Sequence, residues 1–208
     1  MGPVRSAVSA QPGLVLPIGH SLGSAEDPVS GAAVQRVRVG PDVVHLTGSQ
    51  FALWALAHGD PDRPLDQRWG EPAVLAAAER LGVGAAAGLL AELAADGLVA
   101  RVQPGTATAV AFASAHQLKP LMLGLGNLAA DPATYEVGLP GQPVAQVDAV
   151  LYRLYQWGHL EPDLWSACQV TAAGWEGELA DPLRLLDAVL DAVHLLLGPN
   201  AAYLDIRP

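Results

Sequence analysis

Two loops in this chain carry the same pattern of groups able to hold a cation. His58-Gly59-Asp60-Pro61-Asp62 and His159-Leu160-Glu161-Pro162-Asp163 each place an imidazole and two carboxylates at alternate positions. Hard-to-borderline divalent cations accept such nitrogen and oxygen ligands. A plainer account serves both loops: histidine interacts favourably with the negative end of a helix, and Asp-Pro opens a turn. Short ligand patterns also arise often by chance. No metal or other cofactor is therefore expected, and His58, Asp60, Asp62, His159, Glu161 and Asp163 are the side chains to inspect if one binds.

A second concentration of chemistry is aromatic. Tyr152, Tyr155, Trp157, Trp165 and Trp175 fall close together, and Tyr152 and Tyr155, three apart, share a helix face. Core packing is the simpler reading of large rings. The functional reading makes Tyr152, Tyr155, Trp157 and Trp165 the surface for a ligand, a partner or a second copy of the chain, because aromatics are enriched at such places.

Nucleophilic chemistry has little to work with. His20, Ser21 and Asp27 form no triad signature, and no Gly-x-Ser-x-Gly elbow occurs. Gly124-Leu125-Gly126-Asn127 is too short for a phosphate loop and reads as a strand end and turn. Cys168 is the only cysteine, so neither an internal disulfide nor a cysteine-rich metal site is available. No catalytic residue is expected.

Composition narrows the partners. A chain of 208 residues that is 51% hydrophobic and 15% charged buries a substantial core. Its net charge is −10, and acidic residues outnumber basic ones in both halves, which repels nucleic acid and anionic lipid unless a local basic patch overrides it. The N-terminal stretch MGPVRSAVSAQPG lacks the apolar run of a signal peptide. No window approaches the ~18 uninterrupted apolar residues of a membrane span. A cytoplasmic protein with no membrane partner is the expectation.

The elements that must position these residues begin after a loose leader over residues 1–12. Leu14 to Ile18 reads as a strand, and Ser24 to Ala32 as a loop. Arg36 to Leu46 reads as a hairpin, from the alternation of Val37 and Val39 with Arg36 and Arg38 and the turn residues Gly40-Pro41-Asp42. Thr47-Gly48-Ser49-Gln50 has the spacing of a capping box. The helix it opens carries Phe51, Trp54 and His58 on one face.

A second helix starts near Pro72, where a missing amide costs nothing, and stops at Gly82. A third spans about Gly84 to Asp96, with Gly97 ending it. Leu98 to Arg101 and Thr106 to Phe112, around Gln103-Pro104-Gly105, read as a second hairpin.

The second half repeats the first at an offset of about 101 residues by direct comparison of positions. Gly40 corresponds to Gly141, Val43 to Val144, Leu53 to Leu154 and His58 to His159. Thr47 falls opposite Asp148, another good cap. Two modules follow, residues 13–115 and 116–208, of ordinary domain size. The fold class is α+β: tandem winged-helix-like modules, each a small antiparallel sheet with three helices.

Val37 to Ala57, then Leu65 and Arg68-Trp69-Gly70, resemble the DNA-binding effector domain of OmpR-type response regulators. That family has a strand-turn-strand, a Leu-Thr-x-x-Glu-Phe helix start and a Trp-Gly ahead of its recognition segment; here Gln50 stands in place of the glutamate. The resemblance implies a winged helix-turn-helix. It breaks off at the third helix, where Gly84 to Asp96 has no side chain suited to base edges and carries Glu92 and Asp96. The chain also resembles the winged-helix recognition elements that capture leader peptides along a strand edge, a mode that uses backbone more than particular side chains.

The expected function is a non-catalytic regulatory or adaptor protein that binds a protein, peptide or small ligand. The runner-up is a DNA-binding transcriptional regulator, a homodimer whose Arg36, Arg38, Arg63, Arg68 and Arg101 pool into one patch. A metal-dependent enzyme is third.

Overall fold

The computed structural model describes residues 13–27, 31–60 and 67–207. The first strand, β1 (Leu14–Pro17), is buried along its whole length. Side chains alternate between the two faces of a strand, and here the two faces serve different cores. Leu14 and Leu16, with Ile18 just beyond, enter one apolar cluster, while Val15 enters the other.

After β1 come β2 (His20–Glu26), β3 (Ala33–Val39) and β4 (Asp42–Leu46), an antiparallel meander in the order β2-β3-β4. Gly19 makes the corner into β2: its φ is +95°, and a Cβ there would sit 2.5 Å from the Arg38 carbonyl oxygen. Ser24 to Glu26 extends the strand into the segment expected to be loop, because each residue finds a partner on β3. Helix α1 (Gly48–Leu56) opens with a complete capping box: the Gln50 amide donates to Thr47 Oγ1 at 3.3 Å, and the Thr47 amide donates to Gln50 Oε1 at 3.0 Å.

Helices α2 (Glu71–Arg80) and α3 (Ala86–Ala95) follow, and β5 (Val99–Val102) returns to pair antiparallel with β1. Thus β5 finds its partner in β1, and the expected second hairpin does not form. Thr106 to Phe112, its supposed second arm, belongs instead to the capping residue and body of α4 (Ala107–Ala115). The Thr/Ala alternation imitates a strand, but alanine favours helix most strongly. The buried positions Ala109, Phe112 and Ala113 keep helical spacing.

Residues 116–206 run through the same succession. Strands β6 (His116–Pro120), β7 (Leu123–Asn127), β8 (Thr134–Leu139) and β9 (Gln142–Asp148) precede α5 (Ala149–Trp157), α6 (Leu164–Ala173), α7 (Pro182–Ala192), a short α8 (His194–Leu197) and β10 (Ala202–Ile206). Again the last strand pairs antiparallel with the first, β10 with β6, and the other three form a meander, β7-β8-β9. Gly124 to Asn127, expected at a strand end and turn, lies within β7. It carries a register shift between Gly124 and Gly126 that parallels the one between Ser21 and Gly23 in β2.

The first helix of each half is locked in the same way. Trp54 Nε1 donates to the Ile18 carbonyl at 3.0 Å, and Tyr155 Oη donates to the Met122 carbonyl at 2.6 Å, each acceptor lying just past the opening strand.

Polar contacts join the halves. The fully buried Asp205 on β10 accepts from the Gly40 amide at 2.7 Å and from Lys119 Nζ at 3.1 Å, with Arg38 Nη1 at 3.7 Å. Buried His194 donates from Nε2 to the Val15 carbonyl at 3.0 Å. The product is a mixed α/β protein built on small antiparallel sheets. Among the described residues, no helix is long and apolar enough to cross a membrane.

Candidate binding cleft

Helix α5 is amphipathic, and its two faces do different work. Asp148 caps it, accepting from the Leu151 amide at 2.8 Å. Val150, Leu151, Leu154 and Tyr155 recur at helical spacing and are buried. Arg153 and Trp157 stay exposed on the far side, with Gln156 partly so, and all three face a cleft.

That cleft has a volume of about 560 Å³ and lies between α5 and α6. Tyr135, Tyr152, Trp157 and Trp175 supply its rings; Arg153, Gln156 and Glu161 are its longer polar side chains. Tyr152 is held from three directions. It stacks on Tyr135 with ring centroids 4.5 Å apart, and its hydroxyl accepts from the Gly126 amide at 2.9 Å and from Gln156 Nε2 at 3.2 Å. Gly124 must be glycine for the ring to lie there, since a Cβ would stand 2.6 Å from the hydroxyl.

The four residues expected to form a ligand or partner surface divide. Tyr152 and Trp157 line the cleft together. Tyr155 is a core residue whose hydroxyl also reaches the Ala201 carbonyl at 3.3 Å, and burial raises its pKa. Trp165 packs half-buried on the core of the second half. Tyr135, Arg153 and Trp175 also line the cleft; Trp175 belongs to the aromatic concentration seen in the sequence, whereas Tyr135 and Arg153 do not. One signal was available: at an offset of 101, Arg153, Gln156 and Trp157 stand where the first half has Ala52, Ala55 and Leu56.

The corresponding place in the first half is nearly filled. Trp69, 4% exposed, donates from Nε1 to the Leu56 carbonyl at 2.7 Å, and a cavity of only about 250 Å³ remains beside Leu56, Ala77 and Arg80.

Of the cation-binding candidates, His58, Asp60 and Asp163 make contacts of their own within the fold. His58 is buried, its Nδ1 donates to the Trp54 carbonyl at 3.1 Å, and burial pushes its pKa down to about 4. Asp60 lies 3.9 Å from Arg80. Asp163 caps α6, accepting from the Ser166 amide at 2.8 Å. His159 is exposed, Glu161 sits at the cleft, and Asp62 lies outside the described residues. Among the described residues, no three His, Cys, Asp or Glu side chains gather where they could hold a metal ion.

The four described arginines of the expected DNA patch are held by other groups. Arg68 makes a bidentate contact with Asp191, at 2.7 and 3.2 Å. Arg101 pairs with Glu71 at 2.7 Å, Arg38 faces Asp205, and Arg36 donates to the Leu22 carbonyl at 3.3 Å. Arg63 lies outside the described residues.

No family model, curated protein or solved structure matches this chain. A concave, mostly apolar surface with several aromatic rings and a few polar side chains, as here, is the usual form of a ligand site. Cys168, fully buried on α6, has its thiol pushed up to about 12, by desolvation first and by Asp163 second. A thiol so protonated is a packing group rather than a nucleophile.

Proposed function

We propose that this chain is a non-catalytic regulatory or adaptor protein, built from two winged-helix-like modules, that binds a protein, peptide or small ligand in the cleft between α5 and α6. The observation that carries the reading is the contrast between the halves: one frame occurs twice, and where Trp69 fills the first copy the second is open and lined by Tyr135, Tyr152, Trp157 and Trp175. The order of sheet, helices and returning strand in each half supports the winged-helix-like description, although the second half inserts the short α8 where three helices were expected. The carboxylates that hold Arg38, Arg68 and Arg101 support a partner other than nucleic acid, since phosphate binding needs cations free to displace counterions.

Two measurements test this. Affinity capture with the wild-type chain should recover a partner that is lost with Trp157→Ala, a change at an exposed ring that leaves the fold intact. Fluorescence anisotropy of random-sequence duplex DNA at low salt should show no association. Tight DNA binding that weakens steeply with salt, with capture indifferent to Trp157, would replace this reading with the DNA-binding one.

A further inference from the structure

The placement of unpaired cations deepens the reading of the cleft. Acidic residues number 21 against 11 basic ones, so a carboxylate is easily found by any cation that needs one. Among the described residues, Arg38, Arg68, Arg80, Arg101, Lys119 and Arg207 all lie within 4.0 Å of a carboxylate, and Arg36 donates to Leu22. Arg153 and Arg184 make no such contact, and each lines a cleft. The cleft beside Arg184 also presents Asp181 and Asp187, which cancel its charge toward an anion, and it has no aromatic lining. Arg153 is different.

Its guanidinium lies over Gly174, where a Cβ would come within 3.2 Å of Nη2, at the C-terminal end of α6. Glu161 lies before the N-terminal end of the same helix. Ten helical residues span about 15 Å at 1.5 Å each, so cation and carboxylate stand at opposite ends of the aromatic floor. A free amino acid is too short to reach both. A ligand with a ring on the floor and an acid at the Arg153 end meets an attractive charge there and avoids Glu161. The chain has five Trp, four Tyr and two Phe, and four of these rings line this one cleft. Arg153 donates no hydrogen bond to the carbonyls of α6, so its fork of donors is available to a carboxylate.

We propose that the cleft binds a carboxylate attached near an aromatic ring, with the ring on Tyr152, Trp157 and Trp175 and the carboxylate on Arg153. The proposal rests on the reading of this cleft as the binding site. Two sources supply that chemistry: a free aromatic acid, or a peptide that ends in an aromatic residue.

The test is a titration followed by amide and indole NMR shifts, using N-acetylphenylalanine, N-acetylphenylalaninamide and the peptide N-acetyl-Ala-Ala-Phe with a free carboxylate. The expected result is shifts concentrated in residues 149–175, with the acid binding at least about fivefold tighter than the amide, the size of a partly exposed charge-assisted contact. Arg153→Gln should abolish that preference and leave the thermal midpoint unchanged, and Trp157→Ala should weaken acid and amide alike. Tighter binding of the peptide would assign the site to a chain terminus; equal binding would assign it to a small acid.

Equal affinity for acid and amide, or a preference that survives Arg153→Gln, overturns the ligand class while leaving the cleft as a site. Shifts that gather instead around Arg184, or no shifts at millimolar ligand, overturn the proposal. A partner still captured with Trp157→Ala would then show that the cleft reading itself had failed.

Discussion

At the scale of single residues, burial decides which reactive groups stay reactive. Cys168 combines complete burial with a thiol pushed up to about 12, so a thiol reagent at neutral pH should leave the native chain unmodified and label it stoichiometrically in denaturant. Rapid native labelling would show that α6 opens. His58 gives a pH dependence with a definite sign. Desolvation lowers its pKa from 6.5 to about 4, so the unfolded chain binds a proton that the folded chain refuses between those values. The stabilisation from neutral His58 is fully present above about pH 6.5 and is lost as the pH falls toward 4, on the order of 3 kcal/mol in all. His20 and His116 are shifted the same way, mainly by burial, and add to the slope. Urea midpoints measured from pH 7 down to 4 should fall, and His58→Gln should flatten part of that fall. A slope unchanged by the substitution would place its cause in other groups. The same loop pattern that reads in sequence as a cation site is thus, in its first copy, an anchor for the end of α1.

At the scale of elements, helix caps carry a local prediction. Thr47 and Asp148 occupy the same position before α1 and α5 and accept from the third residue beyond. Replacing either by alanine should cost about 1 kcal/mol, read from the denaturant midpoint at unchanged slope; a cost near zero would mean that water replaces the cap. These caps were legible in sequence because the signal is local: a hydroxyl or carboxylate, then an amphipathic run. The turn at Gly40 and helices α1, α2 and α3 were legible for the same reason. The partner of β5 was not, because Val99 finds Pro17 across most of the first half, and no periodicity records a pairing at that separation. The nearest arm by sequence, Thr106 to Phe112, is instead the cap and body of a helix. The cleft was half-legible. Tyr152, Trp157 and Trp175 stand out by residue type, whereas Tyr135 and Arg153 gain meaning only when β8, α5 and α6 lie side by side.

At the scale of the whole molecule, two similar halves would ordinarily unfold as separate units, since a domain with its own core can fold alone. Here the cores are not independent. β1 pairs with β5 of the first half, yet sends Leu14 and Leu16 into the core of the second and only Val15 into the core of the first. Asp205 and the Arg68–Asp191 pair add contacts across the same junction. Loss of the second half would expose the apolar face of β1, and loss of β1 would open both cores, so calorimetry should show one transition rather than two. Leu16→Ala is the sharper probe, because Leu16 is fully buried and belongs by sequence to the first half but by packing to the second. It should destabilise the chain by about 2–5 kcal/mol, the range for a buried leucine truncation. Native-state hydrogen exchange should then show protection falling together in α1 and α5, the first helices of the two halves. Protection lost in the second half alone would mean that the halves unfold separately despite the shared strand.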